Sequence, residues 1–230
     1  MPRETKEARR QRARQIIEAL GRLMPEAKIE LDYGSPLELL VAVILSAQCT
    51  DKRVNLVTPA LFARYRTAAD YASADLPELE GYIKTCGLYR SKAKNLIAAG
   101  KALVAEHHGQ VPTARDVLKT LPGVGHKTAG VVTGHLGGDL AFPVDTHIKR
   151  LAVRLGLTRQ THPDKVEEDL RDLLPSELWM QAHQLLIWHG RRTCFARSPA
   201  CERCGVAALC PKVGVAKSGK KPAPKPARGK

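Results

Sequence analysis

Aromatic side chains are scarce in this chain: two Trp, five Tyr and three Phe make up 4 % of its 230 residues. Proteins that grip single strands or RNA stack bases on aromatic platforms, and there is little material for that here. Long apolar runs are also missing. Runs such as Leu39 to Leu45 are far too short to cross a bilayer. No secretory leader is legible either. The start carries Arg3, Lys6, Arg9, Arg10, Arg12 and Arg14, but no apolar stretch and small-residue cleavage site follow. Glu4 and Glu7 argue against an organelle-targeting segment. The expectation is a cytoplasmic protein with no membrane contact.

Acid is the minority charge. Against 37 Lys and Arg stand 23 Asp and Glu, a net charge of +14. The last twenty residues hold seven positive charges and no acid, which leaves +7 in the rest. A basic surface draws in polyanions, and nucleic acid is the commonest, although many basic proteins bind none. With so few aromatics, a duplex backbone fits better than a single strand.

Period-2 strand patterns and repeats of 20–50 residues are absent as well. What the chain does have is helical spacing. Ile16, Ile17, Leu20 and Leu23 recur as on one helix face, and so do Leu39, Val43 and Leu45 after a cap at Ser35. Segments 51–65, 91–106, 113–120, 126–136, 145–155, 164–174 and 176–192 read alike. With 43 % hydrophobic residues, the chain can bury a core. The fold class is therefore all-α. Residues 212–230, rich in Lys, Pro, Ala and Gly, have too little apolar surface to fold and read as a disordered basic tail.

Of six cysteines, Cys49 and Cys86 sit in apolar helical contexts and read as buried structural residues. Cys194, Cys201, Cys204 and Cys210 are spaced C-x6-C-x2-C-x5-C. In an intracellular protein such a cluster points to metal rather than disulfides. Four thiolates suit either zinc or an iron–sulfur cube. The unequal outer spacings lean toward the larger group without excluding zinc.

Leu121-Pro122-Gly123-Val124-Gly125 separates two helical segments. Two glycines before a helix let backbone N–H groups approach a phosphate at the helix's positive end. The pattern is that of a helix-hairpin-helix, although an ordinary turn would also use it. Lys127 follows in the first turn of the second helix. Most helical lysines are simply solvated. One at a helix N-terminus, where the ammonium is disfavoured, can serve as a nucleophile and form a Schiff base. Asp145 lies in Pro143-Val144-Asp145-Thr146-His147 at a helix head. Alone it reads as a cap. Near Lys127 it would instead stabilise positive charge on a sugar.

Together, Leu121-Pro122-Gly123-Val124-Gly125-His126-Lys127-Thr128-Ala129, Pro143-Val144-Asp145-Thr146-His147 and the cysteine pattern resemble the endonuclease III family over roughly residues 5–211. These are helix-hairpin-helix DNA glycosylase/AP lyases of base excision repair with a [4Fe-4S] cluster. The resemblance implies two helical domains flanking a DNA-binding cleft. A six-helix domain with the hairpin would span 29–139. Residues 1–28, an N-terminal helix, would join 140–211 in an iron–sulfur domain. Lys127 and Asp145 match the catalytic pair, and Cys194, Cys201, Cys204 and Cys210 the cluster ligands. Leu45-Ser46-Ala47-Gln48-Cys49-Thr50-Asp51 is similar to the turn whose Gln48 would fill the gap left by a flipped base. Gly87-Leu88-Tyr89 is similar to the loop whose Leu88 would part the opposite strand. From the residues alone, Gln48 reads as a helix end and Leu88 as core. Leu121, Gly123, Gly125, His147, Arg191, Arg197 and Arg203 complete the expected DNA surface of a monomeric, nucleoid-associated enzyme acting on damaged or abasic duplex.

Some positions depart from the family. His126 stands where Arg is common, and the loop Phe195–Ala200 is less basic than usual, which shifts phosphate contact toward Arg191, Arg192 and Arg203. Four rival readings remain. An adenine glycosylase of the superfamily would lack the lysine and carry a further domain, whereas an 8-oxoguanine glycosylase would share Lys and Asp. A non-catalytic hairpin module, or a zinc-bound adaptor, would leave Lys127 and Asp145 without a task.

Overall fold

The computed structural model describes residues 4–139 and 142–215. The expected tail falls outside the described residues from 216 on. Among the described residues there is no strand, and no helix is long and apolar enough to cross a membrane. The described residues form eleven α-helices in order: α1 Lys6–Leu23, α2 Pro36–Ser46, α3 Asp51–Arg64, α4 Ala68–Ala72, α5 Leu76–Ile83, α6 Tyr89–His107, α7 Arg115–Leu118, α8 His126–Leu136, α9 Thr146–Arg154, α10 Pro163–Leu173 and α11 Trp179–Arg192.

Two apolar cores form. The first centres on α2, whose residues Leu39 to Leu45 are all buried, because α3, α6 and α8 surround it. A helix apolar on every side can only exist in the middle of such a layer. The second core gathers Ile16, Ile17 and Leu20 of α1 with Ile148, Leu151, Val166, Leu170, Leu185 and Leu186. α1 is amphipathic and lies beside α10 and α11, far away in sequence. The chain passes between the cores twice. The first passage is fixed where Trp188 Nε1 donates to the Lys28 carbonyl at 2.8 Å.

The caps explain the boundaries. Thr5, Ser35, Thr50, Thr67, Asp75 and Asp145 each accept a backbone N–H of the turn they open. Helices α4 and α5 escape the periodicity argument because five and eight residues are too few to show a face. The segment 113–120 narrows to the single turn of α7, since Thr120 and Leu121 already turn into the hairpin. Cys49 and Cys86 also differ from expectation. Neither is helical, and only Cys86 is fully buried; both lie in turns that abut one another.

Candidate functional site

Between the two cores runs a cleft. Its wall includes Leu31, Gln48 and Asp51 from one side of the molecule and Asp145, His183, Gln184 and Arg191 from the other, with Lys127 among them.

Gly123 and Gly125 have different reasons to be glycine. Gly123 has φ +81, and a Cβ there would meet Asn95 at 2.8 Å, so the turn itself demands it. Gly125 has ordinary extended backbone, and a Cβ there would meet nothing within 4 Å. As the N-cap of α8 it offers no side-chain cap. The first N–H groups of α8 thus face outward past an uncrowded backbone, as an anion site needs. Replacing Gly125 by Ala should leave the thermal midpoint within about 2 °C, equivalent to under about 0.5 kcal/mol. Duplex affinity should fall about three- to tenfold, measured by fluorescence anisotropy, because a methyl group holds the phosphate off. Unchanged affinity would show that the hairpin does not bind phosphate. Leu121 is buried in the first core and can contribute only its main chain there.

Lys127 Nζ lies 3.8 Å from Asp145 Oδ2. Asp145 is both cap and partner. Its Oδ1 accepts from the Ile148 N–H at 2.8 Å, while Oδ2 is left for the lysine. Lys127 is exposed to the cleft and Asp145 is largely covered, their side chains 58 % and 10 % accessible. His183 is fully buried behind them, and Nδ1–H donates to the Pro143 carbonyl at 2.9 Å, two residues before Asp145. Burial pushes its pKa down to about 4, against the opposing pull of Asp145 and Pro143, so the ring stays neutral. No local sequence signal marks His183, because it joins the site from α11.

His126 is anchored. Its Nε2 lies 2.7 Å from Arg115 Nη2 and 3.3 Å from Glu167 Oε2, and Arg115 binds Glu167 through both oxygens. Burial alone would raise the Glu167 carboxyl, but Arg115 and His126 hold it below its usual range. This ties the start of α8 to α10.

Gln48 and Leu88 both adopt left-handed backbone, at φ +52 and +59. Leu88 is 58 % exposed, so the core reading from residues alone is overturned. An exposed leucine held where the backbone costs about 1–2 kcal/mol is a residue kept for contact with something else. Arg191 pairs with Glu30 and, at 2.7 Å, with Asp51; Arg192 pairs with Glu30 at 2.8 Å. Of the two, Arg191 lines the cleft. His147 is half-buried, its Nδ1 accepting from Arg150 Nη2 at 3.2 Å. Arg197 and Arg203 are exposed.

None of the four clustered cysteines is in a disulfide, and all four line one hollow with Arg154 and His189. Arg154 Nη1 donates to Cys194 Sγ at 3.4 Å and the Lys212 N–H to Cys210 Sγ at 3.3 Å; His189 Nε2 sits 3.6 Å from Cys204 Sγ. Donors aimed at sulfur are what a thiolate-ligated iron–sulfur cluster uses. Burial pushes the Cys204 and Cys210 thiols up, so a metal's charge is needed to hold them as thiolates. Among the described residues, no three His, Cys, Asp or Glu are arranged around a single ion. Four sulfurs bordering one hollow suit a multi-atom cluster better than one zinc ion.

Residues 41–176 match the model of the HhH-GPD superfamily base excision DNA repair proteins, and residues 194–210 that of the iron–sulfur binding domain of endonuclease III. The chain is 50 % identical to endonuclease III of Synechocystis sp. over 205 residues, 89 % of this chain and 94 % of that one. Endonuclease III of Bacillus subtilis is 45 % identical over 195 residues, 84 % and 89 % of the two chains. A solved trapped endonuclease III–DNA covalent intermediate superposes with a TM-score of 0.84 at 43 % identity, covering 88 % of this chain and 96 % of that one.

Proposed function

Since the chain belongs to the endonuclease III family of HhH-GPD base excision DNA repair proteins, we propose that it removes oxidised pyrimidines from duplex DNA and then cleaves the strand. The observation that carries this reading is the 3.8 Å approach of Lys127 to Asp145 in the cleft between the two cores.

The chemistry follows from that pair. The duplex backbone docks on the hairpin and the basic surface, and the damaged nucleotide turns out of the stack into the cleft. Gln48 fills the vacated space and Leu88 presses on the facing strand. As the bond from C1′ to the base breaks, positive charge grows on the sugar. Asp145, held in place by its cap bond, stabilises it. The Lys127 amine attacks C1′ with its lone pair, and the base leaves with the bonding pair and takes a proton. The new secondary ammonium loses one of its two protons, and opening of the ring, with O4′ leaving C1′ and taking up a proton, gives an iminium that keeps the other. Abstraction of a C2′ proton then expels the 3′ phosphate, and water releases the lysine.

The protein carries a [4Fe-4S] cluster, with Cys194, Cys201, Cys204 and Cys210 as its proposed ligands. Bound there, the cluster would supply a cross-link between the end of α11 and the last described residues. Purified protein should absorb near 400 nm. Stripping the iron with a chelator after oxidation should bleach that band and lower the thermal midpoint by more than about 10 °C. A colourless protein of unchanged stability would remove the cluster from this account. Residues 1–28 with 140–211, and 29–139, are the proposed domains, which the two apolar cores support. The protein would act as a cytoplasmic, nucleoid-associated monomer, bound by Arg197, Arg203 and its other basic side chains to damaged or abasic duplex.

The test is covalent trapping. A duplex with one thymine glycol, mixed with the protein and borohydride, should give a protein–DNA adduct on a denaturing gel. Tight duplex binding without adduct or base release would favour a non-catalytic module, and release of a purine lesion instead would favour an adenine or 8-oxoguanine glycosylase.

A further inference from the structure

His135 and Gln184 form a relay that fixes which end of an amide the cleft meets. His135 lies on α8 eight residues after Lys127, so both occupy about one face of the helix, roughly 12 Å apart along its axis. Its Nδ1–H donates to the Val131 carbonyl at 2.8 Å. A carbonyl can only accept, so the proton is on Nδ1. Burial lowers the pKa of the ring and keeps it neutral, so Nε2 is a bare lone pair. That lone pair lies 3.1 Å from Gln184 Nε2. The amide nitrogen must therefore turn to His135, and the carbonyl oxygen Oε1 must turn away from it.

Gln184 is 9 % exposed and belongs to the wall of the cleft that holds Lys127 and Asp145. Among the described residues no hydrogen bond satisfies its Oε1, and that atom is not sealed from solvent. A nearly buried amide oxygen without a partner is a group waiting for a donor. Lys127 and Gln184 line the same cleft, so a base joined to a sugar at Lys127 and lying along α8 would bring its hydrogen-bonding edge to this wall.

We propose that Gln184, locked by His135, is a specificity-determining residue that accepts the N3–H of a flipped pyrimidine imide. This rests on the reading of the cleft as a base pocket. Thymine- and uracil-derived lesions carry N3–H between two carbonyls and satisfy Oε1. Cytosine-derived lesions present a bare N3 lone pair there and oppose it. Discrimination is strong where a site is built to receive a hydrogen bond that the wrong base cannot give.

The experiment compares wild type with Gln184→Leu and His135→Phe under single-turnover conditions. Three duplexes are used: thymine glycol, 5-hydroxycytosine and a preformed abasic site. Gln184→Leu should slow thymine glycol release about ten- to a hundredfold. It should change 5-hydroxycytosine release less and leave abasic-site cleavage as in wild type. His135→Phe frees the amide to rotate, so the thymine glycol to 5-hydroxycytosine preference should fall with abasic cleavage intact. An unchanged preference in both variants, or equal losses on all three duplexes, overturns the proposal while leaving the enzyme's activity established. A wild type inactive on all three overturns the parent reading and this one with it.

Discussion

Lys127→Ala should abolish the borohydride-trapped adduct and reduce strand cleavage at an abasic site by at least about a thousandfold, while the fold and duplex binding survive. The fold should survive because Lys127 is exposed and belongs to neither core, and surface substitutions of this kind usually change stability by under about 0.5 kcal/mol. Binding should survive because the phosphate contacts of the hairpin come from the first backbone N–H groups of α8, which the substitution leaves in place. What disappears is the nitrogen that must bond to C1′, and among the described residues no other amine lies in the cleft wall except Lys28. The gel therefore has a clear reading. Wild type gives a band, the variant gives none, and both retard the duplex equally in a native gel. An adduct of undiminished yield in Lys127→Ala would move the nucleophile elsewhere, with Lys28 the first residue to test.

Asp145→Asn is expected to cost catalysis without costing stability. The side chain has two separable duties. Oδ1 caps α9 by accepting from Ile148, and Asn caps helices about as well as Asp. The thermal midpoint should therefore stay within about 2 °C of wild type. Oδ2 faces Lys127, and there the amide supplies no negative charge for a sugar becoming positive. Removing one such stabilising group costs about a hundred- to a thousandfold in the chemical step. Base release from thymine glycol, followed under single turnover, should fall by that factor with duplex affinity maintained. Cleavage of a preformed abasic site should fall less, since its aldehyde needs no departing base. Full base release by the variant would reduce Asp145 to a cap. An unfolded variant would contradict the capping argument, and Asp145→Ser, another good cap, would then separate the two duties.

Much of this was legible in the chain itself. Helical periodicity, the absence of alternating strands and the caps at Ser35 and Asp145 gave an all-helical fold. The double-glycine turn with Lys127, the Pro143–His147 segment and the four cysteine spacings gave the resemblance. These signals are readable because each is local: a cap, a turn or a ligand set is completed within a few residues. Other features had no such signature. Leu88 looks like any core leucine, and only its left-handed backbone and exposure set it apart. Cys49 and Cys86 sit in apolar surroundings that imply helix, yet they occupy turns.

The amino-acid order by itself determined helices, hairpin and a thiolate set, because hydrogen bonds and turn geometry over a few residues specify those. Only the tertiary structure decided that Asp145 and Lys127, eighteen positions apart, meet at 3.8 Å, that Arg191 pairs with Glu30 and Asp51 at the cleft wall, and that His135 orients Gln184. Those contacts follow from packing two apolar cores side by side. Burial of surface is non-directional and carries no label in sequence until the helices have chosen their neighbours.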